Sequence, residues 1–248
     1  MENEAIRAAD DPFVRTARVF GAEAMERLAH SRVAVFGLGG VGGYVVEALA
    51  RSGIGALDLI DSDTVSLSNL NRQILATRRT LGRYKTEVAE ERVRDIHPSC
   101  QIRTHRVFFL PATRDAFAFT AYDYVVDAID TVTGKLALIE AAREAGTPII
   151  SSMGTGNKLD PSQLRVADLY ETSVCPLARI MRRECRRRGI DRLKVVYSRE
   201  EPRAPIGELP PEERREDVRR DVPGSTAFVP SAAGLLIASE VVKDLLGR

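Results

Sequence analysis

The spacing of apolar residues changes period repeatedly along the chain, and each change predicts an element. Short aliphatic or β-branched runs at 32–36, 56–60, 124–129 and 148–152 have the form of strands buried on both faces. Between them the apolar residues fall three and four apart, as on helices. Val45, Val46, Leu49 and Ala50 mark 41–52, Val88, Val93 and Ile96 mark 84–96, and 135–145 is amphipathic in the same way. Residues 101–107 alternate Ile102, Thr104 and Arg106 against Arg103, His105 and Val107, which suits a strand near a sheet edge. Strands alternating with helices predict an α/β fold, a Rossmann-like doubly wound sheet that is parallel over this half.

Beyond Met153 the pattern shifts. Gly154-Thr155-Gly156 reads as a turn, 163–169 and 193–197 as further strands, and 177–188 as a two-faced helix. Residues 198–222 form a Pro- and charge-rich loop expected to be mobile, and 232–246 an apolar helix. Glu240, Lys243 and Asp244 interrupt that helix, which is too short to span a bilayer and is expected to dock on the sheet or a partner. Upstream, 22–28 is helix-like and precedes the first strand. The polar, acidic start MENEAIRAADDPF suits neither a signal nor a transit peptide.

Composition narrows this picture in two ways. A formal net charge of +1 supplies no global field for nucleic acid, so any basic surface must be local. Three cysteines, Cys100, Cys175 and Cys185, with no CxxC pair, argue against a disulfide framework and for a soluble cytoplasmic chain without a membrane segment.

The local chemistry is concentrated between 32 and 85. After the first strand come Gly37, Gly39, Gly40 and Gly42, then a helix, a second strand and Asp61. Glycines let the backbone approach phosphate, the helix N-terminus offers free N–H groups, and an acid after the second strand can bind ribose hydroxyls. Glycines that merely permit close packing, and Asp61 and Asp63 as simple turn formers, are the plain alternatives. Asp63 is expected to help shape the site. Asn69, Arg72 and Gln73 are expected on a short helix opened by Ser68, with Leu70 and Ile74 toward the core. Lys85 opens the next helix, where the dipole disfavours a cation and an anion is expected beside it. Arg72 and Lys85 together suit a bound triphosphate better than a nicotinamide, since both can neutralise charge as pyrophosphate leaves. His97 and His105 have no ligand-spaced partner and read as structural or surface residues.

In the C-terminal part, Arg179, Arg182, Arg183 and Arg186 share one arc of the 177–188 helix, opposite Leu177, Ile180, Met181 and Cys185. A solvated face is the plain alternative, but six arginines against one glutamate between Arg179 and Arg188 favour an RNA backbone. Cys185 is expected to be packed. Cys175, before a proline at a helix start, is the one candidate thiol nucleophile.

The glycine–Asp–Arg–Lys set resembles the E1-like adenylyltransferases, which include the enzymes that activate the sulfur-carrier proteins of molybdopterin and thiamine synthesis. The resemblance is more specific than that. FVRTARVFG, VFGLGGVGGYVVEALARSGIG, IDSDTVSLSNLNRQI, DAIDTVTGK, VCPLARIMRRECRRRGI, KVVYSREEP and PGSTAFVPSAAGLLIASEVVKDLL resemble one subgroup, the tRNA threonylcarbamoyladenosine dehydratases, across nearly the whole chain. The zinc cysteines of the carrier-activating branch are absent, in agreement. The resemblance implies ATP as cosubstrate and Mg²⁺ held at Asp130, with Asp127 a structural cap. It also implies a homodimer in which an N-terminal arginine, Arg15 or alternatively Arg18, reaches the partner's nucleotide. The implied substrate is tRNA carrying threonylcarbamoyladenosine, and the implied reaction is adenylation of its carboxylate followed by cyclisation with loss of water. Arg15, Arg72, Lys85 and Asp130 would then be catalytic. A cysteine desulfurase is a further partner to consider. Residues 1–248 are expected to form one adenylation domain, with 12–153 its nucleotide-binding half and 154–248 its substrate, RNA and dimer part. Two other readings share part of the site: activation of a ubiquitin-like sulfur carrier, and a nicotinamide-dependent oxidoreductase or nucleotide-sensing protein that needs only the glycine loop and Asp61.

Overall fold

The computed structural model describes residues 11–207 and 223–247. At its centre lies β1 (Arg32–Phe36), whose alternate side chains enter two different cores. Val33 and Val35 pack on one face of the sheet with Leu57, Leu59, Tyr124 and Val126, and Ala34 and Phe36 pack on the other with Ile60 and Val125. An all-apolar run is what a strand covered on both faces requires.

The remaining strands are β2 (Ala56–Ile60), β3 (Gln101–His105), β4 (Tyr124–Asp127), β5 (Ile149–Ser152), β6 (Leu164–Asp168) and β7 (Lys194–Ser198). Among the described residues they form one seven-stranded sheet in the order β3-β2-β1-β4-β5-β7-β6. Every pairing is parallel except β6 with β7. The expected edge strand is therefore β3, and the change of pattern beyond Met153 marks where the sheet acquires an antiparallel edge.

Helices α1 (Val14–Phe20) and α2 (Ala22–His30) precede β1 and are divided by Gly21, whose φ of +92° few other residues adopt. Then follow α3 (Gly42–Arg51), α4 (Lys85–Ile96), α5 (Val132–Ala145), α6 (Pro176–Arg187) and α7 (Phe228–Leu245). Several boundaries differ from the periodicity. Strand 101–107 ends at His105. Strand 124–129 stops at Asp127, where the Ile129 N–H turns back to Asp127 Oδ1 at 3.3 Å instead of extending the ladder. Helix 135–145 begins three residues early, and the C-terminal helix begins at Phe228 because Pro230 sits in its first turn, where its missing N–H has no partner to lose. Of the loop expected over 198–222, Ser198 belongs to β7, 199–207 form no regular element, and 208–222 lie outside the described residues.

The C-terminal helix docks as expected, on the protein itself. Gly234 meets α3 so closely that a Cβ there would lie 2.4 Å from the Val41 carbonyl oxygen. At the other end of α7, Tyr124 Oη donates to Asp244 at 2.6 Å, and Lys194 Nζ pairs with Glu240 and Asp244 at 3.1 and 2.7 Å. Among the described residues, no helix is long and apolar enough to cross a membrane.

Candidate active site

Sheet order reverses between β1 and β4, so the loops after these two strands border a crevice at their carboxyl ends, the usual ligand position in open α/β sheets. The glycine loop after β1 divides into two pairs. Gly37, at φ +91°, and Gly42 are required by packing, since a Cβ would stand 2.6 Å from Ala128 O at the first and 1.7 Å from Gly37 O at the second. Gly39 and Gly40 instead face the 72–73 segment. Around a Cβ built at Gly39 the nearest atom is Gln73 Nε2 at 3.9 Å, and at Gly40 Pro230 Cβ and Arg72 Cγ lie at 3.3 and 3.4 Å. Packing thus requires Gly37 and Gly42 and is tight at Gly40, and it leaves Gly39 as the open position of the loop.

Asp61 is built into this loop. Its Oδ2 accepts the Leu38 N–H at 2.7 Å and its Oδ1 the Asp63 N–H at 2.8 Å. Burial pushes its pKa above the usual carboxylate range, opposed by the Lys85 ammonium 3.8 Å away and by those two N–H groups. Each oxygen accepts one protein bond and keeps acceptor capacity for a hydroxyl.

Lys85, the first residue of α4, is buried, and its Nζ donates to Asp63 Oδ2 at 2.7 Å. The anion expected beside it is therefore the Asp61–Asp63 pair. Two backbone bonds bring them together, Lys85 N–H to Asp63 O at 3.0 Å and Val65 N–H to Arg83 O at 2.9 Å.

The 66–76 segment corrects the expectation of a short helix opened by Ser68. It is a 3₁₀ turn, Leu67–Asn69, followed by further turns, in which Asn69 and Gln73 are buried. Asn69 Oδ1 accepts the Ser66 N–H at 3.2 Å, so this side chain shapes the turn. Gln73 Oε1 is buried with no hydrogen-bond partner, beside the Gly39 cradle. An orphaned acceptor is costly unless a ligand satisfies it, and it fits a cradle that a nucleotide would fill. Arg72 is half-buried and donates to Ser68 O at 2.8 Å and Asn71 Oδ1 at 2.9 Å. Asn71 Nδ2 in turn donates to Ser225 O at 2.9 Å, a tie across 154 positions that no local pattern announces.

Asp130 is exposed on the loop after β4. Among the described residues no three His, Cys, Asp or Glu side chains cluster as a metal site. A lone carboxylate suits a Mg²⁺ that arrives on phosphates, since that ion keeps most of its shell in water and phosphate oxygens. Asp127 is structural, as expected, and caps the end of β4 by accepting the Ile129 N–H at 3.3 Å. It is fully buried and ion-paired with Lys135 of α5 at 3.0 Å, a partner the helical period did not single out. His97 is buried against the edge of Phe13, and His105 Nε2 lies 3.2 Å from Asp58 Oδ1. Both are structural, as expected.

The structure does not bring Arg15 or Arg18 to the crevice. Phe13, just before α1, packs on His97 and beside Gly53, which precede β3 and β2. Both arginines are exposed, and this end of the sheet is opposite the glycine loop.

On α6, Arg179, Arg183 and Arg186 are exposed, whereas Arg182 is half-buried and donates to the Thr172 carbonyl at 2.9 Å and to its hydroxyl. The arc is thus less uniform than its spacing suggests. The Arg186 guanidinium lies 5.2 Å from the centroid of the Tyr170 ring. Cys175 and Cys185 are both buried, and burial pushes the Cys185 thiol up to about 11.

The ThiF family model matches residues 13–248. The tRNA threonylcarbamoyladenosine dehydratase of Bacillus subtilis (strain 168) is 39% identical over 248 residues, covering 94% of each chain. That of Escherichia coli (strain K12) is 43% identical over 170 residues, 68% of this chain and 63% of its own. The crystal structure of the E. coli tRNA N6-threonylcarbamoyladenosine dehydratase, TcdA, in complex with ATP superposes with a TM-score of 0.83 at 34% identity, covering 95% of this chain and 93% of that one. The chain belongs to the ThiF family and, within it, to the tRNA threonylcarbamoyladenosine dehydratases.

Proposed function

We propose that this protein uses ATP to adenylate the carboxylate of threonylcarbamoyladenosine in tRNA and then lets the side chain cyclise, with loss of water overall. The carrying observation is the assembly of Asp61, Asp63, Lys85, Arg72 and the orphaned Gln73 around the Gly39–Gly40 loop in a chain whose relatives bear that name. A carboxylate is a poor electrophile. Its oxygen attacks the α-phosphorus and expels pyrophosphate, and the side chain's own carbamoyl group then closes on the acyl carbon and expels AMP. Closure within one molecule demands mainly positioning, so no thiol is required.

Asp61 is assigned to the ribose hydroxyls, Asn69 and Gln73 to the nucleotide, and Arg72 and Lys85 to the phosphate charge. Asp130 is the residue for Mg²⁺, which would neutralise charge on those phosphates when bound. Arg15 fits this scheme only in a homodimer, because one copy holds it at the opposite end of the sheet. Arg179, Arg183 and Arg186 offer exposed charge to the tRNA backbone, with Arg182 also tying α6 to Thr172. The 12–153 half then handles nucleotide and the 154–248 part substrate, in the cytoplasm where tRNA is modified. A cysteine desulfurase stays a partner to test, with all three cysteines of this chain buried.

The test is incubation with ATP, Mg²⁺ and tRNA bearing threonylcarbamoyladenosine, followed by nucleoside mass spectrometry. Loss of one water from that nucleoside with AMP formed, both abolished in Arg72→Ala, is the expected result. An unchanged nucleoside overturns the proposal and favours activation of a carrier protein.

A further inference from the structure

Beneath the loop that carries Asp130 lies a charged cluster with no place in the reaction scheme above. Lys135 is 1% exposed and Asp127 fully buried. Lys135 Nζ donates to both Asp127 oxygens at 3.0 Å and to the Ser152 carbonyl at 2.7 Å, with Ser151 Oγ at 3.3 Å. Asp127 also accepts the Ser151 hydroxyl at 2.5 Å and the Ile129 N–H at 3.3 Å. Every proton of the ammonium has an acceptor.

We infer that Lys135 and Asp127 are a positioning pair that holds Asp130 against the nucleotide phosphates. This rests on the reading of Asp130 as the Mg²⁺ residue. A buried ion pair is a poor source of stability, because apolar residues of similar volume are often neutral or better. Its location supplies the reason for it. Asp127 pairs with Phe36 of β1 and Ser151 of β5, so the cluster sits under the crevice where three strands end. Through the Ile129 N–H the carboxylate grips the loop one residue before Asp130. The backbone is closely packed on either side of the loop. A Cβ at Gly134 would stand 2.7 Å from Thr131 Oγ1 and 2.9 Å from Phe109 O, and the Ala128 carbonyl abuts Gly37. A lysine in the first turn of α5 thus fixes strand ends, helix and loop as one piece.

The test is ATP binding by calorimetry, with and without Mg²⁺, on the full chain. The variants are Lys135→Met, the apolar pair Asp127→Leu with Lys135→Met, Ser151→Ala and Asp130→Asn. A purely structural pair predicts that the double variant regains both the wild-type unfolding midpoint and the wild-type gain in ATP affinity on adding Mg²⁺. A positioning pair predicts that the double variant keeps its metal-free ATP affinity but loses about 10- to 100-fold of the Mg²⁺-dependent gain. Ser151→Ala, which deletes one hydroxyl and keeps the charges, is expected to fold normally and lose about threefold of that gain. A full gain in the double variant, or in Ser151→Ala should the double variant not fold, overturns the inference alone. A full gain in Asp130→Asn removes Asp130 from the metal site and overturns both.

Discussion

Replacing Lys85 by methionine tests the electrostatics of the site before any substrate is involved. The buried ammonium stands 2.7 Å from Asp63 and 3.8 Å from Asp61. At an effective dielectric constant of about 20, unit charges at the longer separation attract by about 4 kcal/mol. Desolvation of the lysine offsets much of this, so its net removal is expected to cost about 1–3 kcal/mol. Asp63 is half in solvent and adds less than about 1 kcal/mol. The pH dependence is the sharper signature. Burial already raises the pKa of Asp61, and loss of Lys85 raises it further. A carboxyl with a raised folded-state pKa favours folding below its unfolded value and loses that contribution as pH rises through the folded one. The deficit of Lys85→Met is therefore largest near neutrality and shrinks as Asp61 takes up its proton. Urea unfolding at about pH 7.5 and about pH 5 measures both terms. An equal deficit at the two pH values, or none at the higher, would refute the coupling of Lys85 to Asp61.

Gly42→Ala would place a Cβ 1.7 Å from Gly37 O and is expected to destabilise the fold by about 3 kcal/mol or more. Gly39→Ala has open space to 3.9 Å and should fold normally but weaken ATP binding at least about tenfold, and unchanged binding would show that the loop does not cradle phosphate. Burial pushes the thiols of Cys100 and Cys185 up to about 11, so both should resist a thiol reagent at neutral pH until the protein is denatured. Fast labelling of either in the native protein would contradict that. Burial holds the pKa of His97 below the ordinary imidazole value, so the unfolded chain binds its proton more tightly and stability falls as pH drops below about 6.5. His97→Phe should flatten the fall in melting temperature over that range, and an unaltered slope would remove His97 as its source.

What could be read from the chain was whatever depends on neighbours in sequence. The run Arg32–Phe36 needed only its own apolar side chains to predict a strand covered on both faces, and the glycines and Asp61 that follow needed only the strand–loop–helix–strand order. Lys85 was legible in a further way, because a cation at a helix start is unfavourable unless an anion compensates it. Its anions were then found on the preceding loop.

Tertiary structure decided whatever depends on residues far apart in sequence. Leu70 and Ile74 suggested a helical turn, but compact turns with their own caps bury Asn69 and Gln73 instead. Lys135 stood at the start of a predicted helix as Lys85 did, but nothing near it in sequence identified the anion that would compensate it. Only the parallel pairing of β4 with β5 brings Asp127 and Ser151 into register and makes a buried acceptor cluster for it. Arg15 lies at the far end of its own copy's sheet, where Phe13 packs on His97, so the contact that the resemblance implies is with a partner's nucleotide and not with its own. A local pattern sets which backbone conformations are favourable, whereas the burial of a charge and the end of the sheet a residue occupies are set by the packing of distant segments.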